Sequence, residues 1–292
     1  MNTTTLLNYL QQQYAPRTAK EYFREINIFL SNYPGASQAA YKDILHYIGL
    51  LRNRYTNPHT IRKILFSIKA YYNYLCHEQI RTDNPAKAVQ LKSRSHKGIQ
   101  LQDLFTTEEL EALLHQKQRY ESCSERNKVL MSLLIYQGLR PIEIAALQIS
   151  DINLVTGTIY IKSTPKTNSR TLALKPNQIL LFHHYIHHSR QKLLQKKNTD
   201  TDILLISRSG GAIKKNDVIM QVLQGYRNLY AGRVMSTQTI RQSVIANLLK
   251  QGHDISMVQA FGGYKSADTI KLYSTKQVSS LQAAIDKYHP LQ

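Results

Sequence analysis

The sequence has few cysteines and no long apolar run. Its two cysteines, Cys76 and Cys123, lie far apart without a C-x-x-C pair, so neither a disulfide framework nor a zinc site is supported. The richest apolar stretch, VLMSLLIYQG, is too short to span a bilayer, and the first 20 residues lack the layout of a signal peptide. We therefore expect a soluble, cytoplasmic protein with no membrane partner.

Acidic residues are half as frequent as basic ones. Asp and Glu total 19 against 38 Lys and Arg, a net charge of +19, which indicates a polyanionic partner. Residues 1–100 carry 14 basic and 5 acidic side chains, and residues 101–292 carry 24 and 14, so the excess is not confined to a tail. A long DNA duplex contacted by both halves fits this distribution better than an anionic membrane, which needs one local cluster.

A chain of 292 residues is long for one hydrophobic core, so two domains are expected. Residues 1–88 read as a helical bundle, in which TIRKILFSIKAYYNYLCHEQ places apolar residues at steps of three and four. Asn57-Pro58 predicts the start of this helix, and Asn84-Pro85 predicts the end of the bundle. The apolar stripe comprises Ile61, Ile64, Leu65, Ile68, Tyr71 or Tyr72, and Leu75.

Residues 89–103 are polar and basic without periodicity, which is typical of an interdomain linker. The next helix is predicted to begin at a capping box formed by Thr106 and Glu109, so the second domain is predicted over 104–292. Most of it has helical periodicity, but TGTIYIKS and SRTLALK alternate apolar and polar residues around TPKTN and predict a hairpin. The expected fold class is mainly α with a small β-sheet.

Four histidines in HHYIHHSR form two pairs at i, i+4 spacing, His183 with His187 and His184 with His188. Two imidazoles so spaced can share a metal ion, but no Cys or acidic ligand lies within several residues of them. A solvated or DNA-facing helix end is the better interpretation, and we predict no metal site.

An arginine follows the Gly-Leu turn in YQGLRPIEIAALQ. Arg140 lies at the start of a predicted helix, where the macrodipole disfavours a cation, so an anionic partner nearby is a reasonable inference. A surface arginine paired with Glu143 or Asp151 is the alternative. The apolar contacts of this helix are expected from Ile142, Ile144, Ala145 and Leu147.

A second arginine occupies a similar position in STQTIRQSVIANLLKQG. Ser236 or Thr237 can cap a helix that Gly252 ends, and Arg241 lies in its first turns. Two such arginines could converge on one phosphate, since each offers a planar fork of donors. The buried stripe of this helix is predicted to be Ile240, Val244 and Leu248.

These segments resemble the boxes of the tyrosine recombinases, the family of phage integrases and Xer-type enzymes. GLRPIEIAAL looks like that family's G-L-R-x-x-E-x-x-x-L box. TIRQSVIANLLKQGHDISMVQAFGGYKSADTIKLY is similar to its second box, which runs from an arginine to the nucleophilic tyrosine. The bundle before them resembles the core-binding, SAM-like domain, so the likeness covers nearly the whole chain. It implies a site-specific DNA recombinase.

The resemblance also implies roles for individual residues. Arg140 and Arg241 correspond to the phosphate clamp, and Tyr273 corresponds to the nucleophile. A hairpin lysine corresponds to the general acid for the leaving 5'-hydroxyl, best matched at Lys166, with Lys162 in competition. Attack by Tyr273 would form a 3'-phosphotyrosine and conserve the bond energy, so neither a cofactor nor a metal is expected.

Two residues depart from the family pattern. Gln238 replaces the usual His or Lys, and Tyr264 replaces a His or Trp. Gln can donate a hydrogen bond but cannot take up a proton near neutral pH, and Tyr264 retains a donor on a flat ring. Both remain candidate site residues. They also motivate two alternatives, a non-catalytic DNA-binding relative and an enzyme resembling type IB topoisomerases.

The expected partner is duplex DNA with an inverted-repeat core site, bound by a homotetramer with possible accessory proteins in integration, excision or resolution. The tail carries one apolar face, which docks either on its own domain or, as the resemblance favours, on a neighbouring protomer. That face consists of Val278, Leu281, Ile285 and Tyr288. On the bundle, the candidate DNA contacts are Thr60, Arg62, Lys63 and Lys69.

Overall fold

A computed structural model of the protein describes residues 3–91, 103–116, 123–195, 200–213, 216–226, 229–230, 232–271 and 273. The chain divides into two compact units, Met1–Lys97 and Gly98–Gln292. None of the helices in these described stretches is long and apolar enough to cross a membrane. Most of the predicted linker and the predicted tail helix lie outside the described residues.

The described part of the first unit has four α-helices around a mainly apolar core. Its helices are α1 (Thr3–Gln13), α2 (Pro16–Asn32), α3 (Tyr41–Arg54) and α4 (Pro58–His77). Asn57 caps α4 as predicted, because its side chain accepts the His59 N–H at 2.9 Å. The predicted stripe of α4 is buried throughout, and each buried Ile or Leu contributes about 1.5–3 kcal/mol. Phe29 of α2 packs edge-on against Tyr47 of α3, which joins the helices.

The second unit is also mainly helical. Its helices are α5 (Thr107–Ala112), α6 (Ser124–Tyr136), α7 (Pro141–Ala146), α8 (Pro176–His184), α9 (Arg190–Leu194), α10 (Asn216–Gln224), α11 (Thr237–Lys250), α12 (Ile255–Gly262) and α13 (Asp268–Lys271). The predicted capping box starts α5, where the Thr106 N–H donates to Glu109 at 2.9 Å. Helix α6 is buried on nearly every face and packs against α8 and α11, so it forms the centre of this unit.

The sheet has three antiparallel strands in the order β1-β2-β3. They are β1 (Ile152–Asn153), β2 (Thr158–Ile161) and β3 (Arg170–Ala173). In the β2–β3 hairpin Ile161 faces Arg170, and Ile159 and Ile161 are buried while Tyr160 is exposed. The predicted hairpin and the mainly α fold class with a small sheet are therefore confirmed.

One apolar contact predicted for α7 is wrong. Ile144 and Leu147 are buried, but Ile142 is 62% exposed. The helix has only six residues, so the face that meets the core is one turn long and Ile142 falls outside it.

Candidate active site

Arg241 lies on the second turn of α11 and is buried, with 6% of its surface exposed. Its Nε donates to the Tyr264 hydroxyl at 3.2 Å, one terminal nitrogen donates to the Gly262 carbonyl at 2.7 Å, and the other donates to the Gly138 carbonyl. All three acceptors are neutral. Each terminal nitrogen retains one N–H, so this fixed guanidinium can still hold an anion with two donors.

Arg140 is the N-cap residue of α7, two residues after Gly138, whose φ is positive. Its backbone N–H donates to Glu143 at 2.8 Å, but no carboxylate in the described parts of the chain pairs with its guanidinium. Glu143 pairs with Arg170, and Asp151 pairs with Lys162. The surface ion pair considered from the sequence is therefore absent. The buried Nε of Arg140 lacks a hydrogen-bond partner within the described residues.

Both arginines face one aromatic ring. The guanidinium carbon of Arg241 lies 4.7 Å from the centre of the Tyr264 ring, and that of Arg140 lies 5.6 Å from it. Contacts within about 6 Å are attractive cation–π interactions. Two cations against one buried ring repel each other, so the arrangement favours an anion between them.

Two glycines make room for the Tyr264 ring and for the Arg170 side chain. A Cβ on Gly262 would lie 2.3 Å from the Tyr264 ring. Gly263 has a φ of +63°, and a Cβ there would lie 2.6 Å from a terminal nitrogen of Arg170. The Asn168 N–H also donates to the Gly263 carbonyl at 2.9 Å. Side chains at 262 and 263 would thus displace the parts of the site.

Tyr273 follows α13 and is 4% exposed. It packs with Ile245 and Ala246 of α11 and belongs to the same apolar cluster as Tyr264. Burial raises the pKa of Tyr273 to about 12, and Tyr264 adds to the rise. A hydrogen bond from the Gln242 amide and the charges of the two arginines act in the opposite direction. The phenol is therefore protonated at neutral pH and lies within the field of both guanidiniums.

The two candidate lysines differ in their partners. Lys162, at the end of β2, pairs with Asp151 at 3.3 Å and also donates to the Gln148 amide oxygen. Lys166 is exposed on the turn of the hairpin, and no described carboxylate pairs with it. Its neighbour Thr167 forms a bridge with Tyr264, so the turn lies beside the arginine cluster.

Gln238 and Gln242 lie on α11 on either side of Arg241. Gln238 is exposed in the first turn, three residues before Arg241, so its amide projects from a neighbouring position on the helix. The sequence analysis did not identify Gln242, which hydrogen-bonds to Tyr273. Its position directly after Arg241 on α11 was the available signal.

Sequence reasoning also missed a buried ion pair beneath the site. Arg170 of β3 donates to both carboxylate oxygens of Glu143, at 3.0 and 3.1 Å, and neither side chain is more than 6% exposed. Burial opposes ionisation of Glu143, but the hydrogen bonds and charge of Arg170, the Arg140 N–H and the charge of Arg241 together outweigh it and lower the pKa of the carboxyl. The two residues stand in different motifs, and only the fold brings them together.

The four predicted DNA contacts lie on α4 of the first unit and are only partly exposed. Lys63 pairs with Glu21 at 2.7 Å, Arg62 donates to the Leu91 carbonyl, and Lys69 donates to the Lys87 carbonyl. A more exposed row of cations, missed from the sequence, lies on α2. Arg17, Lys20 and Arg24 border a shallow groove of about 370 Å³, and their spacing of three and four residues was the available signal.

The histidine pairs lie on an exposed face around a π-helical turn, Tyr185–Ser189. Their ring centres are 4.6 and 4.7 Å apart, and His184 lies 2.7 Å from Glu125. Sequence spacing does not indicate this carboxylate, because Glu125 belongs to a different helix. Among the described residues, no group of three or more His, Cys, Asp or Glu side chains is placed to hold a metal ion.

Comparison with known proteins gives a consistent result. Residues 103–279 match the phage integrase family. Tyrosine recombinase XerD of Oceanobacillus iheyensis is 27% identical over 251 residues, which cover 85% of this chain and 82% of the relative. Tyrosine recombinase XerC of the same organism is 23% identical over 293 residues, which cover 98% of this chain and 95% of the relative.

Solved structures share the fold. The XerH site-specific recombinase bound to its difH substrate is 18% identical with a TM-score of 0.71, over 94% of this chain and 80% of that one. The Tn1549 transposon integrase in complex with transposon right end DNA is 14% identical with a TM-score of 0.66, over 97% and 99%. The fold and these relatives define a tyrosine-type, site-specific recombinase. The chain belongs to the phage integrase family, which confirms the resemblance found in the sequence.

Proposed function

We propose that the protein cleaves and rejoins duplex DNA at a specific site through a transient bond between Tyr273 and a 3'-phosphate. The observation that carries this proposal is the pair of guanidiniums of Arg140 and Arg241, 5.6 and 4.7 Å from one ring and free of carboxylate partners within the described residues. Arg241 is buried and held by three hydrogen bonds, Arg140 is half-buried beside it, and cations with open donors stabilise the charge of a phosphodiester in its transition state.

The proposed reaction has two steps, cleavage of one strand and rejoining to a second strand. Tyr273 releases its proton to solvent, its oxygen attacks phosphorus, the bond to the 5'-oxygen breaks, and Lys166 supplies a proton to that oxygen. The 5'-hydroxyl of a second strand then attacks the phosphotyrosine and restores a DNA backbone. Removal of the Tyr273 proton is favoured when the cationic site stabilises the phenolate. No step needs a cofactor or a metal.

Tyr264 and Gln238 act as neutral donors in this proposal. The Tyr264 oxygen already accepts the Nε–H of Arg241, so its own hydroxyl hydrogen is free to donate to a non-bridging oxygen. Gln238 is exposed and offers its amide from the same helix. Lys166 is favoured over Lys162 as the general acid because Lys162 is engaged with Asp151.

The first unit is proposed to bind the DNA backbone through α2 and α4. The exposed row of Arg17, Lys20 and Arg24 adds to Thr60, Arg62, Lys63 and Lys69, whose present partners would exchange for phosphates. We also propose an inverted-repeat core site, a tetramer assembled through exchange of the tail helix, possible accessory proteins and action at the nucleoid. The transposon integrase among the structural neighbours fits a mobile-element setting.

The test is a nicked half-site duplex, whose cleaved end diffuses away and traps the covalent complex. The substrate comes from binding-site selection or from inverted repeats of about a dozen base pairs beside the gene. Wild-type protein should form an adduct that maps to Tyr273, and Tyr273→Phe should form none. Tyr264→Phe is the matched control, because it must keep the adduct on 273.

Two outcomes would contradict the proposal. Site-specific binding without any adduct would support a non-catalytic DNA-binding protein. Relaxation of supercoiled plasmid that lacks the recognition site would support an enzyme resembling type IB topoisomerases.

A further inference from the structure

Glu143 is a carboxylate beside the two arginines that are proposed to hold the phosphate. It lies one helical turn after Arg140 and accepts that residue's backbone N–H at 2.8 Å, and its charge also acts on Arg241. Its side chain is fully buried. A free carboxylate in this place would compete with the DNA phosphate for both guanidiniums, because it carries the same charge and accepts the same forked hydrogen bonds.

Arg170 occupies both oxygens of this carboxylate. The fork is bidentate, at 3.0 and 3.1 Å, and Arg170 comes from the hairpin rather than from either arginine motif. The geometry around it is tight, since a Cβ on Gly263 would lie 2.6 Å from its terminal nitrogen. Its Nε is buried without a hydrogen-bond partner among the described residues, so the side chain is held by the fork to Glu143.

We infer that Arg170 is a positioning residue that sequesters Glu143, so that Arg140 and Arg241 remain open to the DNA phosphate. This inference rests on the proposed function. Arg170 does not touch the phosphate. It keeps the one competing carboxylate in a fixed pair while Glu143 continues to cap α7.

The experiment measures single-turnover cleavage and DNA affinity at pH 7.5 for Arg170→Gln, alone and combined with Glu143→Gln. Arg170→Gln leaves Glu143 charged and free to pair with the arginines, so cleavage should fall at least tenfold. The double variant has no competing carboxylate and retains an amide oxygen for the Arg140 N–H. Its cleavage should return to within about threefold of wild type.

A pH profile separates this role from a purely structural one. The pKa of Glu143 is lowered by Arg170, the Arg140 N–H and the charge of Arg241, and it is raised by burial. When Arg170 is replaced, burial favours the neutral carboxyl. Arg170→Gln should therefore recover several-fold relative to wild type between pH 7.5 and pH 5.5. Arg170→Lys, which keeps a cation against Glu143, is the variant to use if Arg170→Gln does not fold. It should lose two- to fivefold at pH 7.5, because one ammonium cannot occupy both carboxylate oxygens, and adding Glu143→Gln to it should restore the rate.

Arg233→Gln is the matched control, because Arg233 forms a similar pair with Glu109 elsewhere in the same unit. It should leave cleavage unchanged at temperatures where circular dichroism shows a folded protein. Two results would overturn the inference. One is a double variant that cleaves as slowly as the corresponding Arg170 single variant. The other is an Arg170→Gln variant whose loss of cleavage is the same at pH 7.5 and pH 5.5. Failure of wild-type protein to form the Tyr273 adduct would instead refute the proposed function.

Discussion

Arg241 shows at the scale of a residue why lysine cannot replace arginine here. One guanidinium reaches the Tyr264 hydroxyl and the carbonyls of Gly262 and Gly138 from three separate nitrogens. A lysine ammonium offers its donors from a single point and cannot span these acceptors. The residue thus holds the site together, in addition to its proposed role of binding the phosphate.

Arg241→Lys should reduce cleavage by about two to three orders of magnitude, because preorganised donors to the phosphate are lost. Unfolding should become easier by about 1–3 kcal/mol, since a buried carbonyl loses its donor. Single-turnover cleavage and denaturant melts followed by circular dichroism measure both. Arg233→Lys, which keeps a cation beside Glu109, should change cleavage by less than threefold; an equal loss there would contradict the assignment.

Tyr273 makes a prediction at high pH. Its pKa of about 12 in the folded protein lies above the ordinary value of 10, so its contribution to stability is complete below pH 10 and is lost as pH rises through 12. Tyr273→Phe should make the fall in melting temperature between pH 9 and pH 11 shallower. Tyr160→Phe, at an exposed position, should leave that fall unchanged, and a shallower fall in both variants would argue against a buried Tyr273.

At the scale of elements, the hairpin was predictable from a local pattern, but its contacts with the rest of the site were not. Alternation around TPKTN predicts two strands because one face of them is buried, and Ile159 and Ile161 form that face. The capping box at Thr106 was similarly local. The contact of the hairpin with Tyr264, the pairing of Arg170 with Glu143 and the need for glycine at 262 depend on long-range packing, which no local pattern encodes.

The hairpin turn predicts different results for its two lysines. Lys166→Ala should lower cleavage by two orders of magnitude or more on normal DNA. A substrate with sulfur in place of the 5'-bridging oxygen should restore most of that rate, since a thiolate leaves without a proton. Lys162→Ala should retain cleavage within about threefold and lose at most about 1 kcal/mol of stability, because its ion pair is half exposed. Rescue of Lys162→Ala rather than Lys166→Ala by sulfur would reverse the assignment.

At the scale of the whole molecule, the net charge of +19 favours DNA binding, and the number of cations that contact phosphates sets its salt dependence. Two of the three cations on α2 form ion pairs, Arg17 with Glu21 and Arg24 with Glu25. Both arginine side chains are largely exposed. Surface pairs of this kind are weak and give way to phosphates.

Replacing Arg17, Lys20 and Arg24 together with alanine should flatten the slope of log affinity against log salt by about three units. Lys63→Ala should flatten it by about one unit, because its pair with Glu21 must exchange for a phosphate. Cleavage within the bound complex should stay unchanged in both variants. Binding isotherms at several salt concentrations measure the slopes, and an unchanged slope would remove those residues from the DNA contact.

The hydrogen bonds of Arg241 have a consequence for the order in which the site forms during synthesis. One of its acceptors lies 103 residues earlier in the chain, and another lies 21 residues later. A nascent chain that ends before Gly262 contains both arginines but not the turn that orients them, nor the ring between them. We therefore expect DNA cleavage only from chains in which the last part of this unit has left the ribosome.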